Sequence, residues 1–195
     1  MARAVYFAFD YEDVKAFRAN VVRNSWVMSK YKFKDSSIWE ESQGKGVNKI
    51  KELIDNSLIG TSVTCALIGS DTYNRRYVRY EIVKSFSSKK GLLGIGINWI
   101  KDKNKSIKFW PGKNPFEYLR LTVSEDGRVI NFFEYCNGWI KYKDLPEIKN
   151  SQFTEKDYGK TYNFDRFFDI YSYDWDNGKK NLVGWVDEAA KKAGR

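Results

Sequence analysis

The sequence predicts an α/β fold with a central, mostly parallel sheet flanked by helices. Three compact apolar runs, at residues 4–9, 61–69 and 91–97, have the composition of strands that are buried on both faces. Apolar residues at helical spacing occur between these runs, and strands that alternate with helices are typical of parallel sheets. We therefore expect an α/β core at residues 1–100. An antiparallel hairpin or meander elaboration with a terminal helix should occupy residues 101–195 and pack on the same domain.

The first strand leads into a helix whose start is marked by Asp10 and Asp13, three residues apart, as in an N-terminal cap. We expect this helix to end at Asn24 and Ser25. Three apolar side chains should then lie on its core-facing side: Val14, Phe17 and Val21.

A polar stretch from residue 30 to 46 separates this helix from the next one. Apolar residues at helical spacing predict a second helix over 47–58, and Gly60 is well placed to end it. The strand at 61–69 then leads through the loop SDTYN into a third helix at 74–86.

The second half carries two hairpin signals between alternating segments, Asp126-Gly127 and Asn137-Gly138. The aromatic segment FDRFFDIYSYDW does not distinguish helix from strand. The last residues predict a helix with four inward side chains: Leu182, Trp185, Val186 and Ala189.

A formal net charge of +9 favours an anionic partner, such as nucleic acid, membrane lipid or a phosphorylated small molecule, although a solvated basic surface explains it too. Histidine is absent, so Ser-His-Asp and Cys-His nucleophile systems and HExxH zinc sites are excluded. A general acid or base must then be a carboxylate, lysine, tyrosine or cysteine. Cys65 and Cys136 are too few for a disulfide scaffold, and Cys65 lies in an apolar run typical of a buried thiol.

Neither a targeting segment nor a membrane span is expected. The N-terminal apolar run is short and reaches Asp10 at once, unlike a secretory signal. The longest uncharged run, NSLIGTSVTCALIGS, is shorter than the ~20 apolar residues that cross a membrane. We expect a soluble protein of the reducing cytoplasm.

The third helix places a carboxylate, Glu81, four residues after Tyr77, so that both lie on one flank. One interpretation is an exposed ion pair between Glu81 and Lys84, worth only about 0.3–0.5 kcal/mol. The other is a ligand site, because the helix follows the carboxyl end of a buried strand, where ligands bind in open α/β sheets. The first strand delivers Phe9 and Asp10 to the same edge, and a carboxylate beside aromatic rings suits a substrate that develops positive charge.

Two further patterns indicate other functions. The acidic residues after the first strand, Asp10, Glu12 and Asp13, could bind Mg²⁺, with Asp71 as the site that accepts phosphate in receiver domains. Helix capping already explains Asp10 and Asp13. Basic and aromatic residues interleave in SKYKFK, residues 29–34, which suits single-stranded nucleic acid. An edge strand with lysines facing water explains the same residues equally well.

Four stretches are similar to the TIR-like domain family of the Thoeris antiphage defence system. They are VYFAFDYEDV, the loop DSSIWEES, TSVTCALIGSDTYNRRYVRYEIVKS and GLLGIGIN, in this order along the chain. A weaker likeness through NPFEYL, the DG hairpin and YDW extends over nearly the whole chain. The resemblance implies a flavodoxin-like TIR fold and an enzyme that cleaves NAD⁺ at the nicotinamide–ribose bond.

By this resemblance Glu81 is the essential glutamate, and Tyr77 holds the aromatic position where bacterial relatives commonly have tryptophan. Four further side chains would frame the nicotinamide riboside: Phe9, Asp10, Trp39 and Ser70. NAD⁺ would be the substrate, with no metal and no further cofactor, because the departing nicotinamide is already cationic and needs no base to activate it.

The implied product is a cyclic or conjugated ADP-ribose signal that activates an effector protein, ThsA, after a phage-derived cue. Related TIR enzymes often complete their sites between protomers, so the resemblance also implies self-association into a homo-oligomer. Neither nucleic acid nor a membrane is an expected partner. The alternative is a TIR module that serves only as an interaction scaffold, with Glu81 as a surface charge.

Overall fold

The computed structural model describes most of the chain: residues 4–15, 17–28, 32–35, 44 and 46–195. Trp39, the predicted nicotinamide contact, lies outside these residues. The described residues form a parallel sheet, an antiparallel sheet and the helices that cover them.

A parallel sheet forms the core, as the buried apolar runs predict. Its described strands are β1 (Val5–Ala8), β2 (Phe33–Asp35), β3 (Val63–Ile68), β4 (Gly91–Gly96) and β10 (Ile170–Ser172). They lie in the order β10-β4-β3-β1-β2, and every residue of β1 and β3 is buried. Side chains buried on both faces need apolar residues at successive positions, which is why these strands lack a two-residue alternation.

Helices cover both faces of this sheet. They are α1 (Tyr11–Lys15), α2 (Arg18–Met28), α3 (Val47–Leu58), α4 (Arg76–Ser87) and α5 (Gly178–Lys192). The α2 and α5 helices share one apolar cluster, whereas α3 and α4 share the other. The predicted end of α3 is confirmed, because Gly60 adopts a left-handed φ of 79° just after it.

The predicted first helix is wrong in two respects. It is interrupted at Phe17, whose φ is 74° and whose side chain is 48% exposed rather than turned to the core. It also continues past Asn24 and Ser25 to the end of α2, because tertiary contacts override the local polar signal. The residues that α2 buries are Ala19, Val22 and Trp26.

The second half contains an antiparallel sheet. Its strands are β5 (Leu119–Val123), β6 (Val129–Tyr135), β7 (Trp139–Lys141), β8 (Ile148–Lys149) and β9 (Thr161–Asn163). Both hairpin predictions are confirmed, because Asp126-Gly127 joins β5 to β6 and Asn137-Gly138 joins β6 to β7. Gly127 and Asn137 have the positive φ that such turns require, 68° and 56°.

The α4 helix lies between the two sheets. One side packs on the parallel sheet, and Phe86 on the other side contacts Phe132 and Phe164, with ring centroids 5.9 and 5.2 Å apart. The Arg79 guanidinium donates to Glu134 Oε2 of the antiparallel sheet at 2.8 Å. As a result α4 buries residues almost all around its circumference, including charged ones.

The chain returns to the parallel sheet at β10, which pairs with β4. The final helix, α5, packs on the start of β4 so closely that a Cβ on Gly91 would lie 2.6 Å from the Ala189 carbonyl oxygen. The predicted inward face of α5 is confirmed, since all four side chains are buried: Leu182, Trp185, Val186 and Ala189.

Cys65 is a buried free thiol, as predicted, and Cys136 is an exposed one. At the edge of the parallel sheet, β2 exposes Lys34, as expected of an edge strand. Among the residues the structure describes, no helix has the length and apolar character to cross a membrane.

Candidate active site

A cavity of about 430 Å³, here called the front cavity, opens at the carboxyl end of β1. Its walls come from the segment after β1 and from the start of α4: Phe9, Asp10, Tyr11, Glu12, Asn74, Arg75, Arg76, Tyr77 and Val78. Three predicted site residues, Phe9, Asp10 and Tyr77, are thus brought together. The volume lies within the roughly 300–1,000 Å³ of small-molecule sites.

Asp10 joins the two walls of the front cavity. Its Oδ2 accepts a hydrogen bond of 2.8 Å from Arg75 Nε and forms an ion pair with Arg75 Nη2, also at 2.8 Å. Its Oδ1 accepts from the backbone N–H of Glu12 at 3.4 Å, which is the expected capping role at α1. Because the Asp10 side chain is only 8% exposed, this pair fixes the spacing between β1 and the start of α4.

Two arginines bring positive charge to the same cavity. The Arg75 side chain is 46% exposed although it binds Asp10. Arg76 donates to both carboxylate oxygens of Asp144, at 2.7 and 2.6 Å, and its guanidinium carbon lies 5.9 Å from the Tyr77 ring centre. The front cavity therefore has an aromatic wall beside cations that are already held in place.

Glu81 is fully buried, one helical turn along α4 from Tyr77. Its Oε1 accepts a hydrogen bond of 2.7 Å from the hydroxyl of Tyr6, a buried residue of β1. The interpretation of Glu81 as half of an exposed pair is wrong, because the Lys84 ammonium instead binds Asp55 at 2.8 Å. A carboxylate taken out of water needs such donors, because burial disfavours its charged form.

Glu81 lies on the side of α4 that packs on the parallel sheet, because its partner Tyr6 belongs to β1. Ser85, one turn further along α4, is on the same side and shares a hydrogen bond with Thr64 of β3. The antiparallel sheet covers the other side of α4, and Arg79 ties the two together through Glu134. The predicted apolar stripe is confirmed at Val78 and Ile82, but burial extends well beyond it.

Two of the described predicted residues, Ser70 and Glu81, do not line the front cavity. Ser70 follows β3, and its Oγ accepts a 3.3 Å hydrogen bond from Asn98 Nδ2. The parts that these residues and Trp39 play toward a substrate stay predictions.

The acidic group after β1 serves the structure of the loop. Asp13 is 2% exposed, and a Cβ on Gly69 would lie only 1.9 Å from its Oδ2, so the end of β3 packs directly on this carboxylate. Burial raises the pKa of Asp13 to about 6, and the Lys108 ammonium at 4.0 Å opposes that rise. Within the described part of the chain, no acidic cluster has the geometry of a metal site, so the receiver-like interpretation gains no support.

Sequence reasoning missed two residues of this region, Tyr6 and Arg75. Tyr6 is the one polar side chain in the apolar run AVYFAF, and a buried tyrosine hydroxyl usually has a hydrogen-bond partner, so its presence was a usable signal. Arg75 gave no comparable signal, because its pairing with Asp10 spans 65 positions of sequence.

The strand order, read from the β2 edge, is the 2-1-3-4-5 order of flavodoxin-like folds if β10 is counted as the fifth strand. With the buried Glu81 on the helix after the third strand, these features define a TIR-like domain. Residues 6–102 match the family model of the Thoeris protein ThsB, TIR-like domain. The chain is also 42% identical over 193 residues to the Bacillus cereus (strain MSX-D12) protein named "Putative cyclic ADP-D-ribose synthase ThsB1". That alignment covers 96% of this chain and 100% of the relative. The chain therefore belongs to the ThsB family of Thoeris proteins.

Proposed function

We propose that this protein cleaves NAD⁺ between nicotinamide and ribose and releases a cyclic or conjugated ADP-ribose that serves as a signal. The observation that carries the proposal is the buried carboxylate of Glu81, which Tyr6 holds one helical turn along α4 from Tyr77, a residue of the front-cavity wall. The name of the Bacillus cereus relative, "Putative cyclic ADP-D-ribose synthase ThsB1", supports the same chemistry.

Each part of the site has a role in this proposal. The flat face of Tyr77 would pack against nicotinamide or ribose, and Arg75 and Arg76 would attract the pyrophosphate. Glu81 would stabilise the positive charge that the ribosyl carbon acquires as nicotinamide leaves, an effect that is strongest where water is excluded. Because the leaving group is cationic in the substrate, no metal and no second cofactor are required.

The burial of Glu81 adds a condition. Tyr77 and Val78 belong to the cavity wall, whereas Glu81 is 0% exposed, so the substrate must displace part of that wall to reach the carboxylate. We therefore infer that the protein has low activity in the state described and becomes active when this part of α4 rearranges. A phage-derived cue or contact with a second copy of the chain would favour that rearrangement.

The fate of the ribosyl cation determines the product. Water would give ADP-ribose, and capture by a group of the same molecule would give a cyclic isomer. Membership of the ThsB family supports the cyclic or conjugated product. In this proposal the product diffuses to the effector ThsA, so that the two proteins communicate through a nucleotide rather than by direct contact.

Mass-resolved chromatography of NAD⁺ incubated with the protein tests the proposal. We expect nicotinamide and an ADP-ribose-type product, lost in Glu81→Gln and retained in Glu52→Gln, a control that removes an exposed helical carboxylate. A chelator should leave turnover unchanged. If the purified protein is inactive, extracts of phage-infected cells provide the activated state, and absence of the product there too would refute the proposal.

The alternative is an interaction scaffold, and the full burial of Glu81 is compatible with a purely structural carboxylate. Protection of cells against phage separates the two functions. Glu81→Gln keeps the size and the helix propensity of the residue. A scaffold should still protect with this substitution, whereas the enzyme should not.

A further inference from the structure

A second cavity, of about 510 Å³, lies at the opposite end of the parallel strands from the front cavity, where β4 begins. We call it the rear cavity. It is bounded by the C-terminal ends of α4 and α5. The segment between β8 and β9 and the segment that leads into β10 complete its walls. No residue of the rear cavity belongs to the wall of the front cavity, so the two are separate.

One side of the rear cavity is aromatic. It is formed by four phenylalanines, of which one comes from α4 and three from the antiparallel half: Phe86, Phe153, Phe167 and Phe168. The Phe86 and Phe168 ring centres are 6.3 Å apart, and those of Phe153 and Phe167 are 6.0 Å apart. Neighbouring edge-to-face rings such as these give an apolar wall on which a flat ring system can lie.

The rear cavity also carries an excess of positive charge. Lys89, Lys90 and Lys192 line the rear cavity together with one acid, Asp169, which leaves an excess of two positive charges. The Lys90 ammonium donates to the Thr61 carbonyl oxygen at 2.7 Å, and burial lowers its pKa. Lys192 is paired with Asp169.

The Lys89 ammonium is available to bind a ligand. Among the described residues, no carboxylate lies within ion-pair distance of it. The φ of Lys89, 53°, directs the chain sharply out of α4. The Arg195 guanidinium lies beside this residue, because it donates to the carbonyl oxygens of Lys89 and Ser88 at 3.0 Å each. Lys89 therefore brings to the rear cavity a positive charge that no carboxylate among the described residues neutralises.

The rim of the rear cavity is held in shape by hydrogen bonds. Asn150 Oδ1 accepts from the backbone N–H groups of Gln152 and Phe153, at 3.1 and 3.0 Å. Asn150 Nδ2 donates to the carbonyl oxygen of Phe153 at 3.0 Å. A rim fixed in this way reduces the ordering cost of binding, because the loop does not have to be immobilised by a ligand.

We propose that the rear cavity binds a small anion that carries a flat ring system, of the nucleoside monophosphate class. The ring lies against the wall of Phe153 and Phe168, and the phosphate lies at Lys89 and Lys192. Both the volume and the mixture of an apolar wall with a few charged groups are those of small-molecule sites. This site goes beyond the proposed function and does not depend on it, because binding can be measured without turnover.

Titration calorimetry of the full-length protein with adenosine 5′-monophosphate tests the site. We expect saturable binding, weakened about tenfold by Lys89→Gln and by Lys192→Gln, since each removes one charge-assisted contact. Lys180→Gln, an exposed lysine at the other end of α5, should leave the affinity unchanged. Adenosine and ribose 5-phosphate should each bind more weakly than the complete nucleotide, because each lacks one of the two contacts.

Substitutions at Ser151, an exposed residue of the rim, provide a test with opposite signs that does not threaten folding. Ser151→Lys should tighten binding and Ser151→Glu should weaken it. The titration is repeated with Tyr77→Ala, which alters the wall of the front cavity and none of the residues that line the rear cavity, so the affinity should be unchanged. Absence of nucleotide binding, equal affinity in the lysine variants, or loss of binding in Tyr77→Ala alone would each overturn the proposal.

Discussion

Removal of the Tyr6 hydroxyl tests how the candidate catalytic carboxylate is held. Tyr6 and Glu81 are both 0% exposed, and the hydroxyl donates to Oε1 at 2.7 Å. In Tyr6→Phe the ring still packs, but the carboxylate loses a donor that water cannot replace. A hydrogen bond to a charged group contributes about 1.5–3 kcal/mol, so we expect the free energy of unfolding to fall by that amount.

Thermal and denaturant unfolding measure this loss. For a chain of this size each kcal/mol corresponds to about 2–4 °C, so the melting temperature should fall by about 3–12 °C. Tyr162→Phe is the matched control, because it removes a 2.9 Å tyrosine-to-carboxylate hydrogen bond to Asp157 that is only partly buried. That control should cost clearly less than Tyr6→Phe, since water replaces the lost partner.

A double-mutant cycle with Glu81→Gln makes the test specific to the pair. Without the charge on residue 81, Tyr6→Phe should cost about 1–2 kcal/mol less than it does in the original protein. The reasoning would be refuted if Tyr6→Phe unfolded within about 0.5 kcal/mol of the original protein, or if the two substitutions were simply additive.

Three further outcomes are expected. Gly91→Ala should destabilise the fold by about 1–3 kcal/mol, because the new Cβ meets the Ala189 carbonyl oxygen. Gly184→Ala has open space around it and should stabilise α5 by about 0.5–1 kcal/mol. Equal effects of the two substitutions in denaturant unfolding would contradict this reasoning. Arg79→Met should cost about 1.5–3 kcal/mol by removing a charge-assisted hydrogen bond to Glu134, whose side chain is 18% exposed, and a change below 1 kcal/mol would show that the link between the sheets is weak. The raised pKa of Asp13 means that the native state binds this proton more tightly than the unfolded chain does. The resulting contribution to the free energy of unfolding is fully present below about pH 4 and is lost as the pH rises through about 6. Asp13→Asn should remove up to about 3 kcal/mol of that dependence between pH 4 and 7, and an unchanged pH profile would contradict the assignment.

Much of the fold followed from local sequence patterns. The three buried strands, the end of α3 at Gly60 and both hairpins depend on residues that are neighbours in sequence, so periodicity and turn chemistry predicted them. The prediction failed at Phe17, where an apolar residue at helical spacing is exposed because the backbone breaks there. The aromatic segment that contains β10 could not be assigned, since its strand forms only by pairing with β4.

The candidate site also combines parts that the sequence predicted with parts that it could not predict. The sequence placed Phe9, Asp10 and Tyr77 at one edge, and the structure brings these three together in the front cavity. The partners of Asp10 and Glu81 were not predictable, because Arg75 and Tyr6 are separated from them by 65 and 75 positions.

The sequence by itself determined the parallel α/β core, the absence of histidine chemistry and a carboxylate one turn from an aromatic ring. Only the tertiary structure decided that this carboxylate is buried. Glu81 faces the parallel sheet, where the hydroxyl of Tyr6, 75 positions earlier in the sequence, meets its carboxylate, and the antiparallel sheet covers the opposite side of α4. Burial of this kind depends on what packs against a helix, and the local spacing of residues along the helix does not contain that information.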